Sequence, residues 1–191
     1  MTEGNLFIIS GPSGAGKGTL VRHLLNRVPD VWCSISATTR APREGEVEGR
    51  EYHFLTDEEF DSLIEQDGLL EWADVHGRRY GTPRSEVEAR MAAGESVVLE
   101  IDPQGAFQVK RRRPDAILVF VMPPTMTELR SRLEKRGTET DAQIEGRLRA
   151  AKGEVEQVPH YDVVIVNDDL PTAVDELVSC VESPQAHIGD C

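Results

Sequence analysis

Residues 11–19, Gly11-Pro12-Ser13-Gly14-Ala15-Gly16-Lys17-Gly18-Thr19, are the stretch most suited to chemistry. Glycines so spaced let the backbone curl until several N–H groups point at one anion. A helix starting behind the curl adds the positive end of its dipole. Lys17 then supplies a point charge for the outer phosphates of a nucleoside triphosphate. The spacing from Gly11 to Gly16-Lys17 fits a phosphate loop, but Gly18 stands where a hydroxyl normally meets Mg²⁺, and Thr19 carries the hydroxyl one place later. The expectation is therefore phosphate binding with no direct protein ligand to the metal. Mg²⁺ would be held mainly by phosphate oxygens and water, as it often is.

Three further groups could act beside this loop. Ser36, Arg40, Arg43, Tyr52 and Tyr80 lie in or near a polar stretch, and two arginines offer forked donors that match a phosphate monoester. The competing reading pairs those arginines with Glu44, Glu46 and Glu48 on a solvated loop. Glu71 sits among apolar residues beside Trp72, and Asp102 follows an apolar run. A carboxylate accepts two parallel hydrogen bonds, which suits the adjacent ring N–H and amine of guanine and not adenine. Read alone, Glu71 is better taken as a surface acid. Arg132 and Arg136 are four apart and share a helix face, with Arg147 beyond the polar turn Gly137-Thr138-Glu139-Thr140. Such a turn suits a lid that lowers arginines onto transferring phosphate, or simply a capped link between solvated helices. The run Lys110-Arg111-Arg112-Arg113 ends at Pro114 and reads as a solvated helix end. His23, His53, His76, His160 and His187 form no metal or triad pattern.

The elements that must position these groups alternate. Residues 6–10, 96–101, 116–122 and 161–166 are apolar strand candidates, each followed by a helical pattern, and carboxyl ends of such strands are where functional residues belong. This predicts an α/β fold with a doubly wound parallel sheet. Residues 34–93 break the rhythm and read as an inserted lobe. It holds a strand over 50–55, a helix opened by the capping box Thr56-Asp57-Glu58-Glu59 and ended by Gly68, an extended stretch over 69–75, and Tyr80-Gly81-Thr82-Pro83 leading into a helix over 84–93. The core is expected over about residues 1–33 and 94–183, the lid over about 136–147, and a loose tail over 184–191.

The chain has 191 residues, 39% hydrophobic and 29% charged, which suits a single soluble domain. Its net charge of −13 argues against nucleic acid as a partner and requires positive charge to be concentrated locally. No apolar run is long enough to cross a bilayer. Met1-Thr2-Glu3-Gly4 has no signal-like pattern, so a cytoplasmic location is expected. Cys33, Cys180 and Cys191 suggest neither a disulfide framework nor a metal site. Oligomeric state is not legible.

Taken together, residues 11–19, Ser36-Ala37-Thr38-Thr39-Arg40-Ala41-Pro42-Arg43 with Gly45-Glu46 and Tyr52, Glu71-Trp72-Ala73, Tyr80-Gly81-Thr82, Ile101-Asp102 with Gln104-Gly105, Arg132-Leu133-Glu134 with Arg136-Gly137, and Val166-Asn167-Asp168-Asp169 resemble guanylate kinases, in family order over nearly the whole chain. The resemblance implies a phosphate-loop core with a GMP-binding lobe and a small lid. It also implies phosphoryl transfer from ATP to GMP with Mg²⁺. By the same resemblance, Ser36, Arg40, Arg43, Tyr52 and Tyr80 hold the GMP phosphate, and Glu71, Thr82 and Asp102 read guanine. Residues 11–19 hold ATP, with Asn167 near the adenine. Lys17, Arg132, Arg136 and Arg147 face the transferring phosphate. Glu100 stands where the family often has aspartate and Pro103 where larger residues are usual; neither receives a role. Kinases of AMP or dTMP fit Glu71 and residues 36–43 less well. Non-catalytic guanylate-kinase-like modules of scaffold proteins lack the intact loop found here.

Overall fold

The computed structural model describes residues 3–75, 77–135, 137 and 140–187. In chain order the elements are β1 (Leu6–Ser10), α1 (Lys17–Arg27), β2 (Val31–Cys33), β3 (Ala37–Thr38), β4 (His53–Phe54), α2 (Asp57–Glu65), β5 (Leu69–Val75), β6 (Arg78–Pro83) and α3 (Arg84–Ala92). There follow β7 (Ser96–Glu100), α4 (Pro103–Arg112), β8 (Ile117–Met122), α5 (Met126–Lys135), α6 (Asp141–Val155), β9 (Val163–Val166) and α7 (Leu170–Glu182).

Every residue of β1 is buried, because the strand is covered on both faces. Successive side chains alternate between those faces. Phe7 and Ile9 pack with Leu20, Val21 and Leu24 of α1 and Val174 and Leu177 of α7. Leu6 and Ile8 pack with Val87 and Met91 of α3 and Ala106 and Val109 of α4. The five strands run in the order β2-β7-β1-β8-β9, all parallel, with β1 at the centre. The expected doubly wound sheet is present. It brings the ends of β1 and β7 side by side, and with them the phosphate loop and Glu100.

The stretch over 34–93 builds a second sheet, β4-β3-β6-β5, around a small core of Ala37, Phe60 and Leu69. The capping box forms as expected, with Thr56 and Glu59 each bonded to the other's backbone. Three details differ from expectation. Only His53–Phe54 is strand where 50–55 was expected, because Glu51 turns back to accept the Val47 N–H at 2.7 Å and Gly49 N–H bonds the Tyr52 carbonyl. Residues 80–83, read as a lead into α3, belong to β6 (Arg78–Pro83), paired with β3 on one side and β5 on the other. After α2 the left-handed residue is Asp67, at φ 52°, one place before Gly68.

Helices α5 and α6 share a cluster of their own, Leu129, Leu133, Ile144, Leu148 and Ala151. Thr140 caps α6 through the Gln143 N–H. The start of the expected loose tail is ordered: Pro184 opens a 3₁₀ turn over Pro184–Ala186, and the His187 ring meets Ser179 Oγ at 3.1 Å. Residues 188–191, including Cys191, lie outside the described residues, as does His76.

Candidate active site

The phosphate loop joins β1 to α1. Gly16 is the N-cap of α1 at φ 98°, a left-handed conformation that side chains disfavour, and a Cβ there would lie 2.3 Å from Asn167 Nδ2. Lys17 folds over the loop and donates to the carbonyls of Gly11 at 2.5 Å and Pro12 at 3.2 Å. The loop is also gripped from outside. Asn167, at the end of β9, is buried and gives its amide to the Ala15 carbonyl at 2.7 Å. Arg147, on α6, reaches Ser13 Oγ at 2.7 Å. Arg132, on α5, bonds the Asn167 carbonyl at 2.9 Å and Glu128 at 3.0 Å. The helix pair thus brings Arg147 to the loop and Arg132 to Asn167, which braces it. Arg136 lies outside the described residues. Asn167, expected on the base side of a nucleotide, spends its side-chain N–H on the loop itself.

A hollow opposite is lined by Ser36, Tyr52, Glu71, Tyr80, Glu100 and Asp102, among others. Its floor is a buried carboxylate. Glu71 is 7% exposed, and Thr82, wholly buried on the neighbouring β6, donates its hydroxyl to Glu71 Oε1 at 2.7 Å. Burial pushes the Glu71 carboxyl up to about 7, and the nearby Asp102 charge adds to this, while the Thr82 hydroxyl opposes it. Gly105 makes room: a Cβ there would stand 2.8 Å from Glu71 Oε2. Asp102 caps α4, its Oδ1 accepting the Gly105 N–H at 2.8 Å. Thr82, having given its proton to Glu71, keeps lone pairs that accept. The Tyr52 and Tyr80 rings meet edge to face at 5.9 Å, and the Arg40 guanidinium lies 5.3 Å from the Tyr52 ring.

Arg40 is brought to this hollow's edge, while Arg43 is exposed on the loop beyond it. Sequence reasoning leaves Glu100 without a role. Glu46 is bound to Arg40, a pairing that the competing reading of this loop includes, although the pair is shielded and not solvated. Glu100 lines both the hollow and the phosphate loop's cleft, where Arg22 adds a cation. Surrounding protein raises the Glu100 carboxyl above its ordinary range, Lys17 pulls it down, and the water that the side chain still faces mutes both effects. A signal existed for Glu100: it ends an apolar strand beside the one that feeds the loop. No group of three or more His, Cys, Asp or Glu among the described residues could hold a metal ion. No helix among them is long and apolar enough to cross a membrane.

A strand-loop-helix anion cradle thus faces a hollow floored by a buried carboxylate, with arginines converging from a third element pair. The family model described as Guanylate kinase matches residues 3–184. A guanylate kinase of Desulfitobacterium hafniense is 51% identical over 186 residues, 97% of this chain and 93% of that protein. One from Synechococcus is 51% identical over 170 residues, 89% of this chain and 90% of that protein. The crystal structure of guanylate kinase from Anaplasma phagocytophilum superposes with a TM-score of 0.77 at 34% identity, over 96% of this chain and 87% of that one. The chain is an enzyme, a kinase, and it belongs to the guanylate kinase family.

Proposed function

We propose that the chain transfers the γ-phosphoryl group of ATP to GMP, giving ADP and GDP. The observation that carries this reading is the buried Glu71–Thr82 pair at the floor of the hollow. An ionised Glu71 accepts from guanine's ring N–H and amine; Thr82 and Asp102 add acceptors beside it. The GMP phosphate then lies toward Ser36, Arg40, Tyr52 and Tyr80, with Arg43 reaching in from the exposed loop. ATP occupies residues 11–19.

The attacking oxygen belongs to the GMP phosphate and is ionised at neutral pH, so no side chain needs to remove a proton. The chain's task is alignment and cancellation of charge between two polyanions. Lys17 is already aimed across the loop, and Arg132 and Arg147 approach it from α5 and α6. With Arg136, these side chains neutralise the transferring phosphate.

The donors beside the loop fit Mg²⁺, a hard cation that takes oxygen and keeps water. The Thr19 hydroxyl and Glu100 carboxylate border the same cleft as Lys17. A Cβ at Gly18 would come 3.3 Å from Glu100 Oε2, so that carboxylate borders the space a residue-18 side chain would use. Thr19 and Glu100 would hold the ion through water, and it would neutralise phosphate charge. The division into a core over about 1–33 and 94–183, a GMP lobe over about 34–93 and a lid over about 136–147 supports closure that excludes water from the reaction. The test is coupled ADP release with GMP, AMP and dTMP. Turnover with GMP alone is the expected result; turnover with another monophosphate, or with none, would sink the assignment.

A further inference from the structure

Glu46 is an acid placed at an anion site, and charge alone should make it harmful there. Its geometry says otherwise. The loop residues between it and Arg40 are exposed, yet the pair itself is shielded, with side chains 14% and 17% exposed. Glu46 Oε1 accepts from Arg40 Nη2 at 2.9 Å and Oε2 from Arg40 Nη1 at 2.9 Å. The same Oε2 accepts the Arg43 backbone N–H at 2.7 Å, and the Glu46 N–H returns to the Arg43 carbonyl at 3.1 Å. One carboxylate therefore ties both arginine positions together.

The donor count of Arg40 adds a direction. A guanidinium has five N–H donors in a fixed fork and cannot release its proton. Glu46 takes two from the far end of the fork, and the Ala41 carbonyl takes another from Nη1 at 2.8 Å. These contacts leave Nε–H and the second Nη2–H, a parallel pair along one side of the plane. The Tyr52 ring lies 5.3 Å from that plane's carbon, and the Tyr80 hydroxyl is a further hydrogen-bonding partner of the guanidinium, one that a phosphate on this edge joins or displaces. A side edge with two parallel donors matches two oxygens of one phosphate.

We infer that Glu46 is a positioning residue for GMP binding: it locks the Arg40 fork so that its side edge meets the nucleotide phosphate, and it sets the Arg40–Arg43 spacing. The inference rests on the GMP reading above. The experiment compares Glu46→Gln, Arg40→Ala and the double variant by titration with GMP and by competition with guanosine, which lacks the phosphate. Glu46→Gln should weaken GMP binding by about tenfold, as for one lost charge-assisted bond, and leave guanosine within about twofold. The double variant should be no weaker than Arg40→Ala, because Glu46 acts through Arg40. Unchanged or tighter GMP binding would overturn the inference, as would equal losses for GMP and guanosine, or losses that add in the double variant. Should Glu46→Gln not fold, Glu46→Asp is read the same way: the shorter acid cannot span both nitrogens and the Arg43 N–H, so the GMP-to-guanosine ratio falls, and an unchanged ratio overturns the idea. Arg40→Ala with normal GMP binding would instead remove the phosphate from this edge, and the GMP reading of the loop with it.

Discussion

Around the phosphate loop, the groups proposed to face a ligand are largely the backbone N–H groups of residues 11–19, a segment braced by Asn167 and Arg147. Around Glu71 they are side chains drawn from β5, β6, the start of α4 and the loop after β3. The first arrangement recognises any polyphosphate, because backbone donors repeat and carry no base-specific pattern. The second can discriminate, because a buried carboxylate rejects a ligand that leaves it unpaired. In the proposed reaction the loop therefore governs rate and the hollow governs choice of substrate. Variants on the two sides should separate along that line.

The largest effect is expected at Lys17. Lys17→Met should lower kcat by about 10²-fold or more, the size seen when a transition-state charge stabiliser is lost. KM for GMP should stay within a few-fold, and the thermal midpoint should hold, because Lys17 Nζ bonds carbonyls of the loop itself. Near-normal turnover in steady-state kinetics would mean that the loop does not act on the transferring phosphate.

On the other side, Glu71→Gln keeps the size but turns an acceptor toward guanine into a donor. It should lower kcat/KM for GMP by roughly 10²-fold, for a lost charge-assisted bond and a buried mismatch. KM for ATP should hardly change, and weak use of AMP should appear, since glutamine both donates and accepts. Unchanged GMP kinetics in a folded variant would remove Glu71 from guanine selection and collapse the contrast between the two regions.

Asn167 tests the bracing. Asn167→Ala removes the partner of the Ala15 carbonyl in a buried setting. An unmet buried acceptor distorts the loop, so kcat/KM for ATP should fall by about tenfold, with GMP affinity nearly unaltered. Equal losses for both substrates would show that Asn167 serves the whole sheet end and not the loop.

The same contrast explains what could be read in advance. The phosphate loop is contiguous, as is the capping box at Thr56, so their spacing alone carried the chemistry. The central strands were legible because burial on both faces leaves continuous apolar runs, as in Leu6–Ser10. The hollow was harder. Strand β6 begins with Arg78 and Arg79 and ends with Pro83, a composition that looks like a turn; its pairing with β3 and β5 makes it a strand. Residues 37–38 are too short to show a period, and 53–54 are the only part of the alternating stretch 50–55 that pairs. Glu44, Glu46 and Glu48 share one acidic loop and are equivalent partners for the arginines in sequence; the fold selects Glu46 for Arg40 and turns Glu48 to the Phe54 N–H. Glu100 is marked in the sequence only by its place at the end of an apolar run; it matters because β7 lies beside β1.

The smallest effect, and the one that probes the hollow without a substitution, is pH. Glu71 titrates near 7 in the folded chain, against 4.5 for an ordinary glutamate. Below pH 4.5 the carboxyl is protonated whether folded or not, and it costs nothing. Between 4.5 and 7 the folded chain holds a proton that the unfolded chain has released, so the group's contribution to stability falls as pH rises, and the full penalty is present above 7. Guanine binding runs the opposite way, because only the ionised carboxylate accepts both guanine donors. For a group titrating at about 7, the ionised fraction changes by about threefold between pH 6.5 and 7.5, and guanosine affinity should rise by about that factor over the same interval. Guanosine is the proper probe, because the phosphate of GMP has its own titration near pH 6, to judge from phosphorylated side chains. In Glu71→Gln the dependence should vanish, since nothing at that position titrates. A flat guanosine profile in the unaltered enzyme would mean that Glu71 is ionised throughout, so that burial governs its exposure to water and not its charge. A slope that persists in Glu71→Gln would transfer the titration to another group facing the hollow, with Glu100 the carboxyl to replace next.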